Sequence, residues 1–277
     1  MPQEKAKSLG IVSSLHRFIV KSTAGEALQR ASIETRGIVG DRRFMVVDQN
    51  NRFVTGRLLP KLTQLHCSLD ASLLTLSMAN ERLEVPVPQH GANEREVVVW
   101  RDTVTAFDTG DMVSEWLSSQ FGRSLRLVYQ HDDHHRFLPE HKRTQDNDEV
   151  SFADGYPMLL IGSASLQALN DRLASPVTMS HFRPNIVVET EEPFIEDTWS
   201  SIAIGEVVIN VASRCSRCIF TTVDPATGLR DEHREPLETL RSFRTDDASG
   251  EIMFGVNVCA ATQGDINVGD VVTAHHA

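Results

Sequence analysis

No stretch of this sequence stays apolar for the roughly 18 residues that a membrane-spanning helix needs, so none is expected. The first ten residues, MPQEKAKSLG, have no apolar centre and do not read as a secretory signal. Cysteine is scarce. Four in 277 residues do not make a disulfide framework, and a cytoplasmic protein with reduced thiols is expected. Positive charge is also in deficit. Lys and Arg number 27 against 38 Asp and Glu, a net charge of −11. That balance argues against specific nucleic-acid binding and against a membrane partner. An acidic protein can still enclose a local basic pocket.

What the sequence does have is strand signal. Apolar residues make up 40% and charged residues 23%, enough for a core under an ordinary surface. No repeat or low-complexity tract interrupts them. LGIVSSLHRFIV, RFMVVDQNNRFVTGR, LLTLSMANERLEV and EVVVWRDTVTAFD read as short strands with turns between them. The polar run in RFMVVDQNNRFV marks a hairpin. DMVSEWLSSQFG has helical spacing, with Asp111 placed to cap its start and Gly122 its end. LRLVYQ follows as a strand.

HDDHHRFLPEHKRTQDNDEV then lacks apolar pattern, and its length marks it as a boundary or a lid over a site. Beyond it, SASLQALNDRL reads as a helix capped by Ser163. FRPNIVVET, IAIGEVVINVAS, CIFTTVD and INVGDVVTA read as strands. The expected fold is mainly β with short helices (α+β), in two strand-rich, barrel-like lobes. Closure hides the edges of many short strands. The lobes are expected at residues 1–125 and 126–277.

Cys215 and Cys218 form a C-x-x-C pair in SRCSRCIFTTVD. A structural zinc site wants four ligands, and Cys67 and Cys259 stand far away in the chain. A redox dithiol wants a helix N-terminus, whereas Cys218 leads into a strand pattern. Buried core cysteine is the plainest alternative. Arg214 and Arg217 interleave with the thiols, and nearby guanidinium groups favour thiolate over thiol. A thiolate suits a transition metal whose other ligands come from a cofactor. The residues alone do not name that metal.

CSRCIFTTVDPATG, followed by EPLETLRSFR, resembles the signature of MOSC-domain molybdenum-cofactor proteins. The similar type includes the mitochondrial amidoxime-reducing component and bacterial N-hydroxylaminopurine reductases. FIVKS (18–22), GDRRFMVVD (40–48), SFADGYPMLL (151–160), HFRPNIVV (181–188) and GDINVGDVV (264–272) match in the same order. The resemblance implies a MOSC N-terminal β-barrel plus a MOSC domain. It also implies that Cys218 ligates molybdenum and that Cys215 does not.

By the same resemblance, Lys21, Arg42 and Arg183 contact the phosphate end of the pyranopterin. A lysine point charge and arginine forks suit that task. Ser22 and Asn185 add neutral hydrogen bonds, and Asp154, Gly155 and Tyr156 form another contacting loop. Taken singly, Arg42 and Arg183 would read as surface ion pairs and Asp41 as a partner for Arg43. His131, His134, His135 and His141 could suggest a metal site, but they sit among charged neighbours and read rather as a solvated loop that shapes access.

The implied activity is two-electron N–O cleavage in hydroxylaminopurines, amidoximes and hydroxylamines, as a molybdenum-dependent oxidoreductase. Some members of the family add a ferredoxin-like domain, whose cysteine spacing is missing here. No Fe–S cluster is therefore expected in this chain; pyridoxal phosphate is not expected either. Electrons are expected from a separate reductase or ferredoxin-like protein, unless this chain is truncated from a longer one that carries such a domain. The alternative is a molybdenum-cofactor or sulfur carrier without turnover, with Cys218 holding a persulfide.

Overall fold

The computed structural model describes residues 8–276. The N-terminal segment MPQEKAKSLG read above falls largely at residues 1–7, outside the described residues. Among the described residues strands dominate, with three α-helices, Asp111–Phe121, Ser163–Asn170 and Leu237–Arg244. No helix among the described residues is long and apolar enough to cross a membrane.

The main sheet closes on itself. It runs Ile186–Val188, Met158–Gly162, Met253–Ala260, Val207–Ser216, Trp199–Ile204, Val271–His276 and Ser8–Arg17. Ser8–Arg17 then pairs back onto Ile186–Val188, with Leu15 opposite Ile186, and seven strands form a barrel. Alternate residues point inward, so Leu15, Ile186, Ile202, Ile209, Val256 and Val258 fill one core. A four-stranded sheet orders Phe44–Val47, Arg126–Tyr129, Asp102–Asp108 and Glu94–Val99. Phe44, Val46, Leu74, Leu117 and Leu127 share a second core.

Sheet membership crosses residue 125 in both directions. Ser8–Arg17 belongs to the barrel, whose other strands begin at Met158, and Arg126–Tyr129 belongs to the four-stranded sheet. The reason is register. Val12 and Leu15 meet Val188 and Ile186 from the far end of the chain.

Three local expectations are corrected. CIFTTVD is not a strand, because Ile219–Thr222 forms a 3-10 turn. Hydroxyls override its β-branched residues: Thr221 Oγ1 donates to the Cys218 carbonyl (3.0 Å) and Thr222 Oγ1 to that of Ile219 (2.8 Å). Asp111 does not cap its helix. Gly110 holds that position, and Asp111 accepts from Arg126 at 2.7 Å instead. Ser163 likewise is the first helical residue, and its Oγ accepts from the Thr190 amide at 3.1 Å. Gly122 does end the first helix, in the left-handed region at φ 66°.

The polar stretch after residue 130 is anchored. Arg136 is buried, and its Nη1 donates to the carbonyls of Ser151 (3.0 Å) and Ala153 (2.8 Å). It therefore braces the segment carrying Asp154.

Candidate functional site

Segments distant in sequence cross at one place. The Lys21 amide donates to the Phe44 carbonyl (2.8 Å), and the Arg42 amide to that of Phe18 (2.7 Å). The Phe152 amide donates to the Arg42 carbonyl at 3.0 Å, and Ser151 Oγ to that of Asp41 at 2.9 Å. These bonds dock the segment carrying Asp154 onto the crossing.

The result is a cavity of about 470 Å³. Lys21, Ser22, Arg42, Asp154, Gly155, Tyr156, Arg183, Asn185 and Cys218 all line it. So do Arg57, Lys142 and Arg217, while Asp154 is the sole carboxylate of the lining. An acidic protein thus encloses a basic pocket.

Three of these residues hold left-handed backbone: Ser22 at φ 72°, Arg42 at 49° and Arg183 at 59°. Such conformations cost on the order of 1–3 kcal/mol each in non-glycine residues. They persist here because neighbouring backbone dictates where each side chain must point.

Lys21 is buried, and its ammonium donates to the Phe152 carbonyl (2.6 Å) and to the Asp154 carboxylate. Burial lowers its pKa from 10.5 to about 8, against the opposing pull of Asp154. Burial also works against the Asp154 charge, but Lys21 and Arg57 outweigh it and hold that carboxyl well below the usual range.

Arg42 Nη1 donates to Asp41 (2.5 Å) and to Asn185 Oδ1 (3.0 Å). Asp41 therefore pairs with Arg42 rather than Arg43, which turns to Asp132 at 2.8 Å. Asn185 is fully buried, and its amide is spent on the protein itself. Oδ1 also accepts from the Leu159 amide (3.2 Å), and Nδ2 donates to the His16 carbonyl (3.2 Å). Its part is to orient Arg42.

Arg183 Nη1 donates to the Thr23 carbonyl at 2.6 Å, whereas its buried Nη2 has no partner. The guanidinium sits 4.1 Å from the centre of the Phe18 ring. Burial, then the nearby Arg42, press its pKa down, yet a guanidinium keeps its proton in proteins. A charged, buried, unsatisfied donor is costly unless an anion meets it.

The two thiols have different partners. Arg217 Nη1 donates to Cys215 Sγ at 3.0 Å, while Arg214 turns away to Asp246. The flanking arginines therefore do not serve Cys218. Arg57 does, from far along the chain: its Nε donates to Cys218 Sγ at 3.2 Å and its Nη2 to Asp154 Oδ2 at 2.6 Å. Arg57 escaped sequence reading. Its one local signal is the preceding Gly56, where a Cβ would fall 2.0 Å from the Phe220 ring. That close approach seats Arg57 beside Cys218.

Trp100 also lines the cavity and was not anticipated. Cys67 and Cys259 lie outside the lining, and burial pushes each thiol up to about 12. His131, His134, His135 and His141 do not line it either. Among the described residues, His131 instead groups with His90 and Asp133.

Residues 147–273 match the MOSC domain, and residues 9–124 match the MOSC N-terminal beta barrel domain. The Mitochondrial amidoxime-reducing component 1 of Xenopus laevis is 32% identical over 286 residues, 97% of this chain and 83% of that protein. Its namesake in Homo sapiens is 32% identical over 282 residues, 96% of this chain and 83% of that protein. The Mitochondrial amidoxime reducing component 2 of Rattus norvegicus is 32% identical over 288 residues, 98% of this chain and 85% of that protein. With both matches and relatives aligned along nearly its whole length, this chain belongs to the MOSC-domain family that includes the mitochondrial amidoxime-reducing components.

Proposed function

We propose that this chain is a molybdenum-cofactor-dependent reductase of N-hydroxylated compounds, with Cys218 as the thiolate ligand of the metal. The supporting observation is that Cys218 and Arg183, whose buried Nη2 has no partner, line one cavity. A soft donor and an unmet cationic donor in one basic pocket fit a group with a metal at one end and a phosphate at the other.

In this reading Lys21, Arg42 and Arg183 bind the phosphate end, and Asn185 keeps Arg42 in place. Ser22, Gly155 and Tyr156 contribute walls of the same cavity. When bound, the molybdenum cofactor supplies the two-electron chemistry that cleaves the N–O bond. Arg57 holds the Cys218 sulfur on one arm and Asp154 on another. Asp154 is ionised at neutral pH and so has no proton to give. It anchors Lys21 and Arg57, and solvent supplies the protons. The substrate is a small N-hydroxylated molecule, and electrons arrive from a separate reductase or ferredoxin-like protein.

The deciding experiment is elemental analysis with cofactor extraction, on protein made in a molybdenum-replete host, joined to a reductant-driven amidoxime assay. Stoichiometric molybdenum with turnover is expected. Metal-free protein bearing labile sulfur on Cys218 would instead identify a carrier.

A further inference from the structure

We propose that Trp100 determines specificity at this site. Its indole forms a wall that favours N-hydroxylated substrates carrying a planar π-system over saturated ones. The inference rests on the reductase reading above.

The anomaly begins in a turn. Strands Glu94–Val99 and Asp102–Asp108 pair with Val99 opposite Asp102, so the hairpin closes over Trp100 and Arg101 alone. Trp100 has a φ of 58°, and Arg101 is not in the left-handed region. A two-residue hairpin with positive φ only at its first position is where glycine belongs. A bulky residue there is an outlier, and nothing in the hairpin calls for an indole.

The cavity does use it. Trp100 lines the same space as Cys218 and is 43% exposed. The Arg57 guanidinium lies 4.8 Å from its ring centre, and its Nε1 donates to Asp154 Oδ1 at 3.2 Å. The Phe53 ring meets it at 5.1 Å, tilted by 51°. Arg57 and Asp154 also belong to the cluster that touches Cys218. One guanidinium therefore orients both the sulfur and the indole. A hairpin brace would bury this ring. Here a strained residue is fixed by side chains of the cavity and left partly open, which is the form of a recognition surface.

The test compares Trp100→Gly, which removes the ring at a position glycine tolerates, with Trp100→Phe, which keeps a ring. The molybdenum-loaded protein is assayed with an artificial reductant on an aryl amidoxime and on a small alkyl hydroxylamine. Trp100→Gly is expected to lower kcat/KM for the aryl substrate about five-fold more than for the alkyl substrate. Trp100→Phe is expected to stay near wild type. Equal losses on both substrates, or no loss on either, would overturn the assignment.

If the wild type reduces neither substrate, the reductase reading fails and calorimetry decides Trp100 separately. The wild type and Trp100→Phe should then bind the aryl amidine, which lacks the N–O group, about five-fold more tightly than Trp100→Gly. Equal binding by all three would refute the aromatic wall.

Discussion

Arg57 Nε lies 3.2 Å from Cys218 Sγ, across 161 residues of sequence. The same guanidinium reaches Asp154 at 2.6 Å. A lysine at this position offers one ammonium in place of a fork. Arg57→Lys is therefore expected to keep the fold but hold only one of its two partners. Molybdenum content after extended dialysis should fall, while the urea midpoint stays close to wild type.

The two cysteines should separate cleanly. Cys218→Ser is expected to abolish amidoxime reduction and the metal–thiolate absorbance. Cys215→Ser, which loses only the sulfur that Arg217 contacts, should retain measurable turnover. Steady-state assays and visible spectra of both variants check this, and the reverse pattern would refute the assignment within the pair.

Arg183→Ala removes one unpartnered buried donor, its Nη2. A hydrogen bond to a charged group contributes about 1.5–3 kcal/mol, so affinity for a phosphate monoester should drop about ten-fold or more. Calorimetry on cofactor-free protein measures it. Unchanged affinity there, or full molybdenum occupancy in the loaded variant, would count against a phosphate-gripping role.

Lys21 sets a pH dependence. Its folded pKa is lowered from 10.5 to about 8, so its charge leaves the site as pH rises through 8. A phosphate monoester is already dianionic there, its last proton lost near pH 6, to order of magnitude. Its affinity should therefore fall above pH 8 in the wild type and show no such break in Lys21→Met. Stability should move the other way. Between about 8 and 10.5 the unfolded chain holds the extra proton, so the cofactor-free protein gains stability as pH rises across that window. Thermal melts at several pH values test the sign.

Gly56→Ala places a methyl group 2.0 Å from the Phe220 ring. Overpacking of this kind costs about 1–3 kcal/mol. Because Phe220 is two residues from Cys218, molybdenum content should fall together with the urea midpoint. A variant with both unchanged would show that the ring has room to move.

Much of this fold was legible because strands alternate. Leu73–Met78 and Trp199–Ile204 bury every second residue or nearly so, and the sequence shows that rhythm. The cofactor-contacting positions were legible only as ordered blocks, since nothing local distinguishes Arg42 or Arg183 from a surface arginine. Arg57 and Trp100 were not legible. Each owes its place to tertiary packing, with Gly56 against Phe220 and the indole against the Arg57 guanidinium. Ile219–Thr222 misled because β-branched residues were weighed without the hydroxyl back-bonds that curl them. The barrel's use of Ser8–Arg17 was invisible too, since alternation reveals a strand but not its partner.

That borrowed strand has a consequence for how the protein is made. Ile11 pairs with Val271 in the closed sheet. A ribosome emits the first of these long before the second, at about 5–20 residues per second. The barrel therefore cannot shut until Val271 has emerged: Leu15 can pair early with Leu28 and later with Ile186, but Ile11 must wait for its partner. The cavity wall includes Asn257, so the pocket too is completed only once that residue has emerged. Loading of any resident group is thereby deferred until residue 257 has left the ribosome. An edge strand kept waiting is also where a chaperone would be needed most.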